Sequence, residues 1–459
     1  MKRKQDNLWV MEQAPVGKAL LSLAIPTMLG MLVHLIYNIT DTFFVGMMGD
    51  YVQLAAVSLT MPVTMVTGGL AQLFGGGAPA VISRLLGQGK RESARRASAV
   101  SLYLTAAIGA AASIGALIAI DPILKAISAT GATYGPTRTY LTIVLAGTVL
   151  AHAQGAMQAL LRTEGAAKQA AFGSALGVVL NIALDPLLIL ALDMGIAGAA
   201  VATVLGNGAS LLYFIVTIRR KAAAVSISPR DFRPERESLK DMLALGAPSF
   251  LGQAAMGVAM LFANSFCMGY SVQTMTASNI AGKAYSVVVM LVMGISMGVQ
   301  PFLGYNYGKG AKERLRKGLF WGIGMSTGLC LLASAFFLLG GEWFVRLFTG
   351  EPEVIAIGER CVKAFLVSTP FLGLQMLLLS YLQATGKNFG AMVVNLGRQF
   401  LVFFPLMVLL NHFFQVEGMI YTQPISDLVT TALAMGFALA PARGKREKVI
   451  TAAAQESAA

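Results

Sequence analysis

The chain has 459 residues, of which 56% are hydrophobic and only 12% charged, and its mean hydropathy is +0.67. Soluble domains carry about 25% charged residues, so this composition excludes a soluble enzyme, a nucleic-acid reader and a disordered scaffold. The formal net charge of +13 is dispersed in short basic clusters between long apolar runs, the pattern of a polytopic membrane protein.

Lys2, Arg3 and Lys4 precede an apolar run from about Ala19 to Ile36, which reads as a first membrane span retained in the mature protein. Runs of about 20 residues suit a hydrocarbon core of about 30 Å. Twelve are expected, near 18–46, 52–76, 97–120, 136–160, 169–193, 196–218, 241–268, 274–300, 317–340, 361–383, 388–413 and 418–440. The loops on one side of this arrangement carry 28 Lys and Arg, and those on the other carry 5. That asymmetry places both termini in the cytoplasm. Three cysteines, Cys267, Cys330 and Cys361, are far apart and form no CxxC pattern, so neither a disulfide framework nor a zinc site is expected.

The expected organisation is an N-lobe at 1–218, a basic cytoplasmic linker at 219–240, a C-lobe at 241–440 and a cytoplasmic tail at 441–459. The two halves repeat each other. Lys18, Pro26, Gly30 and Pro79 match Lys240, Pro248, Gly252 and Pro301 at an offset of 222. Gly165 and Gly386 differ by 221, and Gly198 and Gly418 by 220. Six spans per repeat give both halves one orientation, related by a pseudo-two-fold axis along the membrane normal.

Ionisable groups at mid-membrane are costly and mark function. Asp41 lies one helical turn from Tyr37, Asp185 one turn from Asn181, and Asn207 one turn from Thr203, so each pair shares a helix face. Packing of spans 1, 5 and 6 would gather two carboxylates and several neutral oxygens, a set suited to a proton or to Na⁺. A desolvated carboxylate holds its proton to higher pH, and a second nearby lets the two share one. Pro26 and Pro186 each remove a backbone donor and favour a bend, Pro26 being the candidate hinge.

His34 stands on the Asp41 side of span 1, either as a proton relay or as a neutral, hydrogen-bonded histidine. Gln158 belongs to a candidate cavity lining. Met61 and Met65, like Met256 and Met260, are spaced to share a face, either lining an adaptable pocket or filling gaps between helices. In the second half the charges expected inside spans are Lys283 and Arg398, with Asp427 able to pair with one of them; they are read as a structural ion pair or as substrate contacts.

Leu23-Ala-Ile-Pro26, Tyr37-Asn-Ile-Thr-Asp41-Thr-Phe-Phe-Val-Gly46, Asn181-Ile-Ala-Leu-Asp185-Pro186, Gly195-Ile-Ala-Gly198-Ala-Ala-Val-Ala-Thr203 and Gln300-Pro301 with Gly304-Tyr-Asn-Tyr-Gly308 together resemble the multidrug and toxic compound extrusion (MATE) family, in its MepA-like bacterial branch. The resemblance implies an all-α, MOP-like fold of twelve transmembrane helices in two six-helix lobes around a cavity. It implies export of amphipathic, often cationic compounds driven by inward H⁺ or Na⁺. It assigns Asp41, Asn181, Asp185, Thr203 and the adjacent Tyr37 to an N-lobe ion site, and bending of span 1 to Pro26. The acidic C-lobe residues of the family's other branch are absent from spans 7 and 10. The expected protein is therefore an antiporter working by alternating access, not an enzyme, with no cofactor beyond the coupling ion. Its expected partners are small organic substrates and the bilayer, with no nucleic acid, and it is expected to be a monomer. A flippase for a lipid-linked precursor is the rival reading, kept open by Lys283 and Arg398.

Overall fold

The computed structural model describes residues 6–47, 51–222 and 224–440, and their regular structure is helical throughout. A short α1 (Asp6–Glu12) leads into α2 (Val16–Met47), α3 (Tyr51–Gly75), α4 (Ala78–Gly87) and α5 (Arg91–Ile118). There follow α6 (Ile120–Ala126), α7 (Tyr134–Thr163), α8 (Ala167–Pro186) and α9 (Gly195–Lys221). The second half opens with α10 (Arg236–Tyr270), α11 (Val272–Gly308), α12 (Lys312–Arg346) and α13 (Pro352–Val367). It closes with α14 (Thr369–Thr385), α15 (Asn388–Leu396) and α16 (Phe403–Leu439). The expected tail at 441–459 lies outside the described residues.

Among the described residues nine helices are long and apolar enough to cross a membrane, or ten when α13 and α14, bent by 41°, count as one span. The expectation of twelve divides 388–440 between 413 and 418, and α16, Phe403–Leu439, breaks into two helices at that place. Inside it, Gln415 has φ 50° and ψ −128°. A Cβ added at Gly418 would lie 2.0 Å from the carbonyl oxygen of Leu410. Eight residues of straight helix span about 12 Å, so the chain doubles back at Gln415 and only glycine fits at the crossing. The first half uses a related device. Asp193 (φ 50°) and Gly195 (φ 54°) turn the chain, and a Cβ at Gly198 would sit 2.8 Å from the backbone of Leu188.

Two compact units emerge, and they are not simple halves of the sequence. Unit 1 contains 25–82 and 92–257; unit 2 contains 9–24, 83–91 and the chain from 258 onward. The basic segment 219–240 therefore belongs to unit 1, where it is pinned rather than free. Arg95 reaches Asp231 at 3.1 Å, Arg96 reaches Glu235 at 3.3 Å, and the Tyr103 hydroxyl donates to Ile227 O at 2.9 Å. The Ala224 amide donates to the buried Glu164 at 3.1 Å.

The interleaving follows from small residues that let backbones touch. In unit 1 a Cβ at Gly246 on α10 would meet Leu73 O of α3 at 2.0 Å. In unit 2 a Cβ at Gly298 on α11 would meet Leu23 O of α2 at 2.7 Å. The start of each repeat's first helix thus packs on the second helix of the other repeat. Unit 2 also holds a reciprocal contact: Gly87 faces Tyr305 O, and Gly308 faces Arg84 O, Gly308 following Gly87 and Tyr305 following Arg84 by 221 residues. Apolar packing fills the rest. In unit 1 Leu124, Leu141 and Leu145 join α6 to α7. In unit 2 Val288 and Val292 of α11 meet Val362 and Leu366 of α13.

In unit 2 the end of α1 is latched to the end of α11 and the start of α12. Asn306 and Arg314 donate to Met11 O, and Lys309 pairs with Glu12. The Lys309 ammonium beside it holds the Glu12 carboxyl below the ordinary carboxylate range. A lowered pKa adds stability that is complete above the unfolded value and is lost as pH falls through the folded one. Both partners are more than a third exposed, so the pair contributes about 0.2–1 kcal/mol. The protection factor of the last α1 amides, their exchange normalised to the intrinsic rate at each pH, should fall on acidification, and Glu12→Gln should lower it at neutral pH while flattening that dependence.

Candidate functional site

In unit 1 the backbones of α8 and α9 approach most closely at two glycines. A Cβ at Gly177 would lie 2.5 Å from Gly206 O, and one at Gly206 would lie 2.6 Å from Gly177 O. Ser210 Oγ donates to Gly173 O at 2.8 Å one turn away. Going up α8 from these contacts, the next residues on the same face are Asn181 and Asp185, 2% and 0% exposed. Across from Asn181 stands Thr203.

The Asn181 amide satisfies both of its ends when its nitrogen faces Asp185. In that orientation the nitrogen donates to Asp185 Oδ2 at 3.3 Å, and its oxygen accepts from the Thr203 backbone at 3.1 Å. The Thr203 hydroxyl lies 3.1 Å from the Tyr37 hydroxyl of α2. Three helices thus bring Tyr37, Asn181, Asp185 and Thr203 into one hydrogen-bonded set. Pro186 ends α8 right after Asp185, and Leu187–Ala191 continues as a π-helical turn. A missing proline N–H loosens the ladder there, and such turns recur at functional sites. Asp41 falls one turn beyond Tyr37 within α2, but its side chain lies outside the described residues.

The helix approach predicts its own sensitivity. Gly177→Ala adds a Cβ 2.1 Å from Ser210 Oγ, and such overpacking costs about 1–3 kcal/mol. Its melting midpoint in detergent should fall. Gly115→Ala, which meets nothing within 4 Å, should melt like the parent.

The other sequence candidates are dispersed. The His34 ring is 5.7 Å from that of Tyr37 and is exposed. Asn207 is partly exposed one turn past Thr203. Gln158 donates to Ser174 at 2.5 Å, a bond between α7 and α8. Met61 and Met256 are 56% and 42% exposed, Met65 is half-buried, and the Met260 side chain lies outside the described residues. Pro26 sits inside α2, next to the point where the chain passes from unit 2 to unit 1.

Lys283 and Arg398 separate cleanly. Lys283 is exposed on α11, 4.8 Å over the Phe348 ring. Arg398, 11% exposed, lies on a second π-helical turn, Gly397–Leu401, with its Nε 3.3 Å from Asp427 Oδ1. Asp427 is fully buried. It also accepts from Tyr285 at 2.6 Å, Gln423 at 3.0 Å and Ser368 at 3.2 Å. Arg398 and Gln423 both donate to the Tyr285 hydroxyl, at 3.1 and 3.2 Å. Tyr285, Gln423 and Ser368 were not singled out from the sequence. A signal was present for one: Gln423 and Asp427 stand 220 residues after Thr203 and Asn207, on the same helical spacing.

Comparisons with known proteins agree with this architecture. The MatE family model matches residues 26–187 and again 248–409, one match per repeat at an offset of 222. The chain is 30% identical over 434 residues to the multidrug export protein MepA of Staphylococcus aureus (strain MRSA252), covering 94% of this chain and 95% of that protein. A solved structure of a multidrug resistance MATE family transporter of the MOP superfamily, in an outward-facing conformation, superposes with a TM-score of 0.88 at 26% identity over 98% of each chain. A MOP superfamily transporter from Pyrococcus furiosus Vc1, described as having a binding pocket of reverse polarity, has the same score and identity over 94% of this chain and 97% of its own. Two matches of one family model, one in each half of the chain, and a relative alike along nearly its whole length place this chain in the MATE family of membrane transporters.

Proposed function

We propose that the protein is a secondary active antiporter of the cell membrane that exports amphipathic, often cationic organic compounds, driven by inward H⁺ or Na⁺. The observation carrying this reading is the meeting of Tyr37, Asn181, Thr203 and the buried Asp185 from α2, α9 and α8. The relatives named for multidrug export support the substrate class.

The chemistry follows from the donors and acceptors present. Asp185 offers a carboxylate with no exposed surface, Asn181 and Thr203 offer neutral oxygens, and Asp41 is assigned as the second carboxylate on α2. Two like charges in one dry cluster repel. A proton or Na⁺ between them removes that repulsion and lets α2 close on α8 and α9, while loss of the ion reopens the gap. The hydroxyl contact between Tyr37 and Thr203 is the neutral part of the same closure. Ion binding changes which side of the membrane is open only through unequal affinity for the two states. The turn after Pro186 and the missing backbone donor at Pro26 are where α8 and α2 yield.

The flippase reading loses one of its two cations, because Arg398 is committed to Asp427 and Tyr285. Proteoliposomes carrying a pH gradient or a Na⁺ gradient separately test the proposal. Dye accumulation against its own gradient under one of them is the expected result. Lipid scrambling without dye transport would overturn it.

A further inference from the structure

Unit 2 carries an open groove of about 480 Å³ between α12 and α14. Gly324, Thr327, Gly328 and Leu331 form one wall, and Phe371 and Leu374 form the other. Side chains added at Gly324 or Gly328 would meet nothing within 4 Å, so the floor is empty rather than tightly packed. The flanks are apolar and exposed, Leu331 at 56% and Phe371 at 41%.

The helix face that lines the groove carries charge about two turns before it, toward the start of α12. Arg316, Phe320, Ile323, Thr327 and Leu331 follow one another at three- and four-residue steps, and so share one face of α12. Arg316 is exposed and stacks on the Phe320 ring at 5.7 Å. Its neighbours Glu313 and Lys317 neutralise each other at 2.6 Å, leaving Arg316 and Lys312 as net positive charge. The fifteen helical steps from Arg316 to Leu331 rise about 22 Å. That equals about half of a bilayer measured with its headgroups. With Arg316 at headgroup level, Leu331 reaches the midplane.

We propose that this groove is a binding site for one anionic phospholipid of the bilayer leaflet at the basic end of α12. Its acyl chain lies along Gly324 and Gly328, and its phosphate meets Arg316. The positive charge on that face beyond the groove favours an anionic headgroup and repels an amphipathic cation, so the site is distinct from that of an exported compound.

Native mass spectrometry of the full chain in detergent tests this, with dioleoyl-phosphatidylglycerol and dioleoyl-phosphatidylcholine as probes. One phosphatidylglycerol should be retained in preference to phosphatidylcholine. Arg316→Ala should weaken its retention about fivefold, the worth of one basic side chain at an anionic lipid surface. Gly328→Leu should abolish retention, while Gly115→Leu, at an open glycine on α5, should leave it unchanged. Equal retention of both lipids, or retention insensitive to Gly328→Leu, would overturn the proposal. Displacement of the lipid by a cationic dye would also overturn it. Should Gly328→Leu fail to fold, a Trp9→Phe, Trp343→Phe protein leaves Trp321, beside Phe320, as the reporter. Brominated phosphatidylglycerol should quench it more than brominated phosphatidylcholine, and Arg316→Ala should remove the difference; equal quenching would refute the site.

Discussion

Asp185→Asn should abolish energised export while leaving the protein folded and able to bind substrate. The substitution keeps the shape of the side chain and one of its acceptor oxygens, so Asn181 retains a partner on α8. What is lost is the ability to alternate between a charged and a neutral form. One charge moving through 100 mV supplies about 2.3 kcal/mol, which corresponds to nearly fifty-fold accumulation. With Asp185→Asn the imposed gradient should drive no accumulation, and dye in proteoliposomes should only equilibrate. Asp41→Asn should behave the same way, because a shared ion needs both carboxylates. Undiminished uphill transport in either variant would remove that residue from the coupling site.

The parts of this site that were legible in the sequence are those set by spacing within one helix. Tyr37 with Asp41, and Asn181 with Asp185, are one turn apart, and Pro186 beside Asp185 announces the π-helical turn that follows it. The parts that were not legible depend on contacts between helices of the same apolar composition. Nothing in the hydropathy of 9–24 or 236–257 tells which unit each joins; Gly298 and Gly246 decide that by how closely they let a backbone approach. The reversal at Gln415 falls in the gap between the expected spans 388–413 and 418–440, but its geometry was not legible. Its positive φ falls on a residue type that rarely adopts it, while the glycine that makes it possible stands three residues later. Apolar runs also understate helix length: α12 begins at Lys312 and ends at Arg346, beyond the expected 317–340, because its ends are charged rather than apolar.

The choice between Lys283 and Arg398 as the partner of Asp427 is a matter of helix phase. Lys283 and Tyr285 are two residues apart, hence on opposite sides of α11, and Tyr285 is the one turned inward. This arrangement makes a prediction that separates architecture from coupling. Asp427→Asn leaves the Arg398 guanidinium buried with no counter-charge, and breaking a buried pair in this way costs about 3–5 kcal/mol. Arg398→Met should cost less. The carboxylate it leaves behind still accepts from Tyr285, Gln423 and Ser368, and hydrogen bonds to a charged group contribute about 1.5–3 kcal/mol each. Combining Arg398→Met with Asp427→Asn removes both charges and keeps an amide oxygen as acceptor for the Tyr285 and Ser368 hydroxyls. The double variant should therefore melt above Asp427→Asn alone, a positive coupling in a double-mutant cycle read from melting midpoints in detergent. It should also keep uphill dye transport, in contrast to Asp185→Asn, because a pair that is neutral as a whole holds α11 to α16 without exchanging an ion. Additive single effects would mean that the two charges do not depend on each other. Loss of transport in a stable double variant would assign the pair to the transported species instead.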